Sequence, residues 1–278
     1  MTANAPLRQE VFAANRATGR LACTIAAAAG GSRRSRVHEA GSLRLRFPNG
    51  ERGGALEAVM VNTAGGMAGG DRFDIDISVG AGARLTATTA AAEKIYRSLG
   101  PATEIGIKLG VGAGGALAWL PQETILFDRV RLRRTVEVDL AGDAGLLLAE
   151  AVVFGRAAMG ETVASGEFFD CWRVRVRGTL AFAETLRLDG AISQRLARRA
   201  SARGGVAVAS VLKFPGDDAG IACVRAIAAD CGGEVGVSAW NGFALARLVA
   251  PDGATLRRDL IGVISTLGGA KLPRLWLN

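Results

Sequence analysis

The fold is decided by the stretch Arg72-Phe73-Asp74-Ile75-Asp76-Ile77-Ser78-Val79, in which apolar and polar residues alternate. A period of two places successive side chains on opposite faces of a β-strand, so this stretch predicts a strand with one buried face. The glycine turn Gly80-Ala81-Gly82 follows, and a second apolar segment comes at residues 85–87. The sequence therefore predicts a strand–turn–strand unit.

The same unit occurs twice more along the chain. Alternation returns at residues 105–109 and 136–140, spaced by 30 and then 31 residues, and each copy runs through glycines into another apolar segment. A unit of this size cannot bury its apolar face alone, whereas stacked copies bury a continuous core. The alternative is a β-sandwich of hairpins with coincidental spacing. Three copies favour stacking, so we predict a mainly β fold of helically wound, stacked β-sheets, resembling a β-solenoid.

Helical signals appear only toward the C-terminus. Asp217 precedes a segment with apolar residues at helical spacing, and Asp252 precedes another, so each aspartate is predicted to cap a helix. Residues 239–248 between them are predicted to form one strand. The apolar run at residues 21–30 is interpreted as a core strand rather than a signal peptide. We expect a single domain over residues 1–278, with a few α-helices in its C-terminal part.

Composition narrows the classes of partner. The chain has 34 Lys and Arg against 26 Asp and Glu, a formal net charge of +8, but no basic cluster is interleaved with aromatic residues. Nucleic-acid binding is therefore not expected, and an acidic protein partner explains the charge better. No apolar run approaches the ~18 residues of a membrane span. Four scattered cysteines without a C-x-x-C pair indicate free thiols in a reducing compartment, so a cytoplasmic location is expected.

Several kinds of site are disfavoured by the residues available. The glycine-rich run at residues 62–71 lacks the Gly-Lys-Ser/Thr ending of a phosphate loop, and a strand rather than a helix is predicted after it. Its glycines indicate a tight turn, which Asp71 ends. His38 is the only histidine, so catalytic triads and closed sites for borderline metals have little support.

Carboxylates remain as candidate metal ligands. Glu150 stands out because it lies between two apolar runs, and a buried carboxylate must find a partner, neutralise or line a wet cavity. For each candidate singly, a structural ion pair with an arginine is the other interpretation. Together, weak oxygen ligands along a channel suit a metal in transit better than a metal at rest. The candidates are Asp71, Glu93, Glu123, Asp139, Glu150 and Glu161.

Four segments, in order and spacing, resemble the UreD family of urease accessory proteins. They are Gly65-Gly66-Met67-Ala68-Gly69-Gly70-Asp71; Thr88-Thr89 with Lys94, Tyr96 and Arg97; Trp119-Leu120-Pro121-Gln122-Glu123-Thr124-Ile125; and Gly155-Arg156 with Gly160-Glu161. The ending Leu272-Pro273-Arg274-Leu275-Trp276 is also similar.

The resemblance implies a mostly β, helically wound fold and a role without catalysis. Members of this family are expected to bind apo-urease and a UreF-type adaptor, which recruits a UreG-type GTPase. Nickel is expected to reach the urease active site through an internal passage, so it would be in transit rather than a tightly bound cofactor. The resemblance carries over no catalytic residues, and the carboxylates above remain candidates from the sequence alone.

A second class of function stays open at this point. A β-solenoid hydrolase or carbohydrate-binding protein would use paired carboxylates such as Asp71 and Glu93 for acid–base work. It would require two carboxyl groups ~5–9.5 Å apart in an open groove.

Overall fold

The computed structural model describes residues 15–48, 54–268 and 272–277. Its strands, in chain order, are β1 Thr18–Ala28, β2 Gly31–Gly41, β3 Leu43–Arg46, β4 Leu56–Asn62, β5 Arg72–Val79, β6 Arg84–Thr89, β7 Glu93–Ile95, β8 Thr103–Val111, β9 Ala116–Leu120, β10 Thr124–Leu126, β11 Val130–Leu140, β12 Gly145–Phe154, β13 Gly166–Val176, β14 Thr179–Gly190, β15 Ala207–Phe214, β16 Glu234–Trp240 and β17 Phe243–Ala250. The helices are α1 Ile192–Leu196, α2 Asp218–Ala228 and α3 Gly253–Gly268, with 3₁₀ turns at Ala157–Met159 and Arg274–Trp276.

The strands form two sheets that the chain visits in turn. Sheet A has the order β14-β13-β11-β8-β5-β1-β2, and sheet B has the order β16-β17-β15-β12-β9-β6-β4-β3. From β5 to β13 the chain alternates between the sheets, and neighbours within each stack run parallel. Strands β7 and β10 and the end of β12 form a third, short parallel stack. This winding confirms the predicted solenoid-like fold.

The register shows how the repeated units stack. Ile75 lies beside Ile107, and Ile107 lies beside Val136, so apolar side chains at equivalent positions form continuous rows inside the molecule. The repeat in the sequence aligned Ile75 with Ile105 instead. A shift of two residues keeps every side chain on the same face of its strand, so periodicity predicts the buried face but not the exact register.

The main core lies between the two sheets, and a second core lies on the other face of sheet B. Leu146 and Leu148 of β12 belong to the first core, while Leu147 and Ala149 belong to the second. Helices α2 and α3 cover the second core and pack on β15, β16 and β17. Since β12 is buried on both faces, its even-numbered residues, Glu150 among them, face the space between the sheets.

Most of the predicted local elements are confirmed. Residues 21–30 fall largely in β1, with Leu21 and Ile25 fully buried. The carboxylate of Asp217 accepts the Gly220 amide at the start of α2. The single strand predicted at residues 239–248 is wrong, because the chain turns at Asn241-Gly242 and pairs β16 with β17 as a hairpin.

Candidate functional site

The glycine-rich run is a turn that packs under a neighbouring segment of the chain. A Cβ added to Gly66 would lie 2.7 Å from the ring of Tyr96, so only glycine permits this approach. The Tyr96 hydroxyl donates to the Gly65 carbonyl at 3.3 Å, and the Met67 amide donates to the Lys94 carbonyl. Strand β5 follows the run directly. The run is therefore structural, as the sequence predicted.

Asp71 holds that turn together. Its Oδ1 accepts the Ala17 amide at 2.9 Å and its Oδ2 accepts the Ala68 amide at 2.7 Å, and the residue is only 4% exposed. A carboxylate that accepts two backbone N–H groups connects the start of β1 to the start of β5. Asp71 does not line the cavity that contains Glu93. Asp71 and Glu93, the example of a carboxylate pair given for the hydrolase alternative, therefore do not line a common cavity.

Three other candidates face partners or solvent rather than a cavity that runs through the interior. Glu123 pairs with Arg257 of α3 at 2.8 Å, and Glu161 pairs with Arg156 at 2.6 Å. Asp139 lies on the exposed outer face of β11. For Glu123 and Glu161 the arginine ion pair is the arrangement observed. The Glu123 pair also anchors the C-terminal segment, because Arg257 donates to the carbonyls of Leu275 and Trp276.

Glu93 and Glu150 line a cavity of about 440 Å³ between the sheets. The walls are mainly apolar, and the polar groups are few. We name this space the first cavity. Its lining residues include Met60, Phe73, Ile107, Trp119, Thr124 and Arg134. Its rim includes exposed Ala91 and Lys94, so it opens beside the β6–β7 connection.

A second cavity of about 310 Å³ lies further along the interior. It is lined by residues of β12, β13, β14, β15, β17 and the α1 region, and Arg134 and Glu150 belong to its lining as well as to that of the first cavity. Asp170 and Glu184 line the second cavity only. Glu184 Oε1 pairs with Arg247 at 3.1 Å, while its Oε2 is buried without a hydrogen-bond partner in the described chain.

Arg134, Glu150 and Asp170 form a buried ion cluster where the two cavities meet. Arg134 donates through Nε to Asp170 Oδ1 at 3.0 Å and through Nη2 to Asp170 Oδ2 at 2.6 Å, a bidentate pair. Its Nη1 donates to Glu150 Oε2 and, at 3.3 Å, to the Thr124 hydroxyl. None of the three charged residues is more than 8% exposed.

Two tryptophans complete the hydrogen bonding of the cluster. The Trp119 indole N–H donates to Glu150 Oε1 at 2.9 Å, and the Trp172 indole N–H donates to Asp170 Oδ1 at 3.3 Å. Each carboxylate therefore has one cationic and one neutral donor. Buried charges are tolerated only when they are paired and hydrogen-bonded in this way.

The environment shifts the ionisation of these groups. Burial opposes the charge of Arg134, but the carboxylates of Asp170 and Glu150 outweigh it and raise the pKa of Arg134 above its usual value. Burial raises the pKa of Glu150, an effect that Arg134 partly opposes. In the first cavity, burial also raises the pKa of Glu93 to about 6, although the Asn62 amide donates to its carboxylate at 2.9 Å.

Arg134, Asp170 and Glu184 are not among the residues predicted from the sequence, although a signal for Arg134 and Asp170 is present. Arg134 occupies an inward position of β11, between Leu132 and Val136. The alternation of buried and exposed residues along this strand predicts that Arg134 is buried. Asp170 likewise lies between Phe168 and Trp172. A charged residue at an inward position of an alternating strand indicates a buried partner of opposite charge.

Two further features concern metal ligands and membrane-spanning helices. Within residues 15–48, 54–268 and 272–277, no group of three or more Cys, His, Asp and Glu side chains is placed to hold a metal ion. Among the helices of the described chain, none has the length and apolar character needed to cross a bilayer.

Comparisons with known proteins agree with the sequence motifs. Residues 17–277 match the family described as UreD urease accessory protein. The chain is 58% identical over 268 residues to urease accessory protein UreD of Rhodopseudomonas palustris strain HaA2, covering 96% of each chain. It is 54% identical over 278 residues to urease accessory protein UreD of Bradyrhizobium diazoefficiens, covering 100% of each. The chain therefore belongs to the UreD family of urease accessory proteins.

Proposed function

We propose that this chain is a urease maturation factor, a non-catalytic scaffold or chaperone of the cytoplasm that helps to deliver nickel to apo-urease. Family membership supports the role in maturation. The partners in this proposal are apo-urease, a UreF-type adaptor and, through the adaptor, a UreG-type GTPase. Their support is the resemblance of the sequence motifs to the family.

The proposed route for nickel is internal. The observation that carries it is the pair of cavities that meet at the buried ion cluster. Carboxylates follow one another along this line: Glu93 in the first cavity, Glu150 at the junction, and Asp170 and Glu184 in the second cavity. Nickel accepts oxygen ligands, but imidazole and thiolate bind such metals more tightly. Carboxylates that act singly or in pairs suit an ion that must leave again.

The sequence candidates are narrowed accordingly. Glu93 and Glu150 stay in the proposed route because they line the cavities, and Asp170 and Glu184 join them. Asp71, Glu123, Asp139 and Glu161 are left out of it, since none of them lines either cavity.

The role is tested by omitting the chain. Apo-urease is co-expressed with the other accessory proteins at limiting nickel, with and without this chain, and its nickel content and activity are measured. We expect both to drop strongly without the chain. Full urease activity in its absence would overturn the proposed role in maturation.

The route is tested separately by substitution. We expect the double variant Glu93→Gln, Glu150→Gln to lower the nickel content of urease while the chain still associates with apo-urease. Asp139→Asn serves as the matched control, because Asp139 is also a strand carboxylate but lies outside both cavities. Unchanged nickel content with the double variant, in a folded chain, would exclude the route but not the role.

A further inference from the structure

The side chain of Arg134 lies in the lining of both cavities, together with Glu150. Thr124, which accepts a hydrogen bond from Arg134 on one side, lines the first cavity only, and Asp170, its partner on the other side, lines the second cavity only. The guanidinium group therefore stands as a partition between them. An ion that moves from one cavity to the other has to pass this group.

The two carboxylates at the junction are already occupied by a cation. Arg134 is bound bidentately by Asp170 and also contacts Glu150. A metal ion at these carboxylates would compete with the guanidinium for their negative charge, and two positive charges a few ångströms apart repel each other strongly in a site of low dielectric constant. Passage therefore requires the exchange of one cation for another.

We propose that Arg134 is the gate of the passage: its guanidinium group closes the junction between the cavities and withdraws when a divalent cation replaces it between Glu150 and Asp170. This inference rests on the proposed route for nickel. It makes Arg134 a positioning residue that controls the entry of cations into the second cavity, rather than a ligand of the metal.

The contacts of Arg134 permit such a movement. Every hydrogen bond that the structure gives its guanidinium group goes to a side chain, namely Thr124, Glu150 or Asp170. Withdrawal would break these contacts without breaking a backbone hydrogen bond of β11. Arginine also carries its charge on a flexible stem, and cavity space lies on both sides of the group.

The test removes the charge of Arg134 and keeps both carboxylates of the cluster. Arg134→Gln keeps a hydrogen-bond donor toward Glu150 and Asp170, and Arg134→Met, which has neither charge nor donor, is made in parallel. The initial rate of urease activation is measured at limiting nickel with purified chain, apo-urease and the other accessory proteins. We expect either variant to raise this rate by about 10-fold, the effect of lowering a barrier by ~1.4 kcal/mol.

The controls separate an open gate from a loosened structure. Arg131→Met removes an arginine of the same strand whose partners are Glu167 and the Gly100 carbonyl and which lies outside both cavities, so it should leave the rate at the wild-type value. Arg134→Lys keeps a cation at the junction and should not exceed the wild-type rate. Loss of packing alone would lower the rate and not raise it.

The outcomes distinguish this inference from the proposed function. If the wild-type chain does not support activation, the proposed function fails and the gate fails with it. If the wild type does support activation and both uncharged variants fold and bind apo-urease, but neither exceeds the wild-type rate, only the gate is overturned. An equal rise with Arg134→Lys would also overturn it, because closure would then not depend on the guanidinium.

Discussion

Asp71 in the glycine turn and Glu150 between the cavities are two buried carboxylates in opposite situations. They are almost equally hidden, with exposures of 4% and 5%. Asp71 accepts hydrogen bonds from two backbone amides and so joins two strands. Glu150 accepts hydrogen bonds from the guanidinium of Arg134 and the indole of Trp119, and it lines both cavities. Burial alone therefore does not separate a structural carboxylate from a candidate functional one. The two kinds of carboxylate are distinguished by the groups that they bind and by whether a cavity lies next to them.

The largest expected effect on stability comes from breaking the buried ion cluster that contains Glu150. Arg134→Met leaves two buried carboxylates without their cation, and the free energy of unfolding should decrease by ~3–5 kcal/mol. Urea-induced unfolding measures it. Arg131→Met is the control, since it removes a partly exposed ion pair with Glu167 worth at most ~1 kcal/mol and one hydrogen bond to the Gly100 carbonyl worth ~0.5–1.5 kcal/mol. Equal losses in the two variants would show that the cluster is not specially dependent on Arg134.

A smaller effect is expected at Asp71. Asp71→Asn has one acceptor oxygen for two backbone amides and no charge, so the free energy of unfolding should decrease by ~1–3 kcal/mol. The nickel content of urease, normalised to folded chain, should stay at the wild-type value. A loss of nickel transfer with unchanged stability would instead place Asp71 in the route, beside Glu150.

The smallest effect concerns pH and Glu93. Its pKa is raised from 4.5 to about 6, so the folded chain holds this proton more tightly than the unfolded chain. Its contribution to stability is therefore complete below pH 4.5 and is lost as the pH rises through 6. The loss should be at most ~2 kcal/mol.

Glu93→Gln should abolish that part of the pH dependence. Unfolding free energies at several pH values between 4.5 and 7.5 test this in the wild type and the variant. Glu137→Gln, on the exposed outer face of β11, is the control and should leave the profile as in the wild type. A wild-type profile that does not fall over this range would contradict a desolvated Glu93.

Much of the fold followed from local patterns. Alternation in β5, β8 and β11 predicted the buried faces, and Asp217 predicted the start of α2, because both depend on neighbouring residues alone. The register did not follow, since a shift of two residues leaves the pattern unchanged. The β16–β17 hairpin was missed because its turn interrupts one apolar run only briefly.

The site was predictable in part. The apolar neighbours of Glu150 indicated a buried carboxylate, and the structure confirms its burial. The sequence did not show which of many arginines would pair with it. Arg134 is 16 residues away from Glu150 and 36 from Asp170. Pairing of β11 with β13 places Arg134 beside Asp170, and Glu150 reaches the same point from β12 of the facing sheet.

By itself, the sequence determined the family, the repeated strand unit and which residues point inward. Motifs and periodicity depend only on residues that are close together in the chain. Only the tertiary structure decided that Asp71 binds backbone amides, that Glu123 and Glu161 pair with arginines, and that two cavities meet at Arg134. These features depend on distances between residues far apart in the chain. The stacking of strands in the two sheets sets those distances, and they cannot be predicted from a local pattern in the sequence.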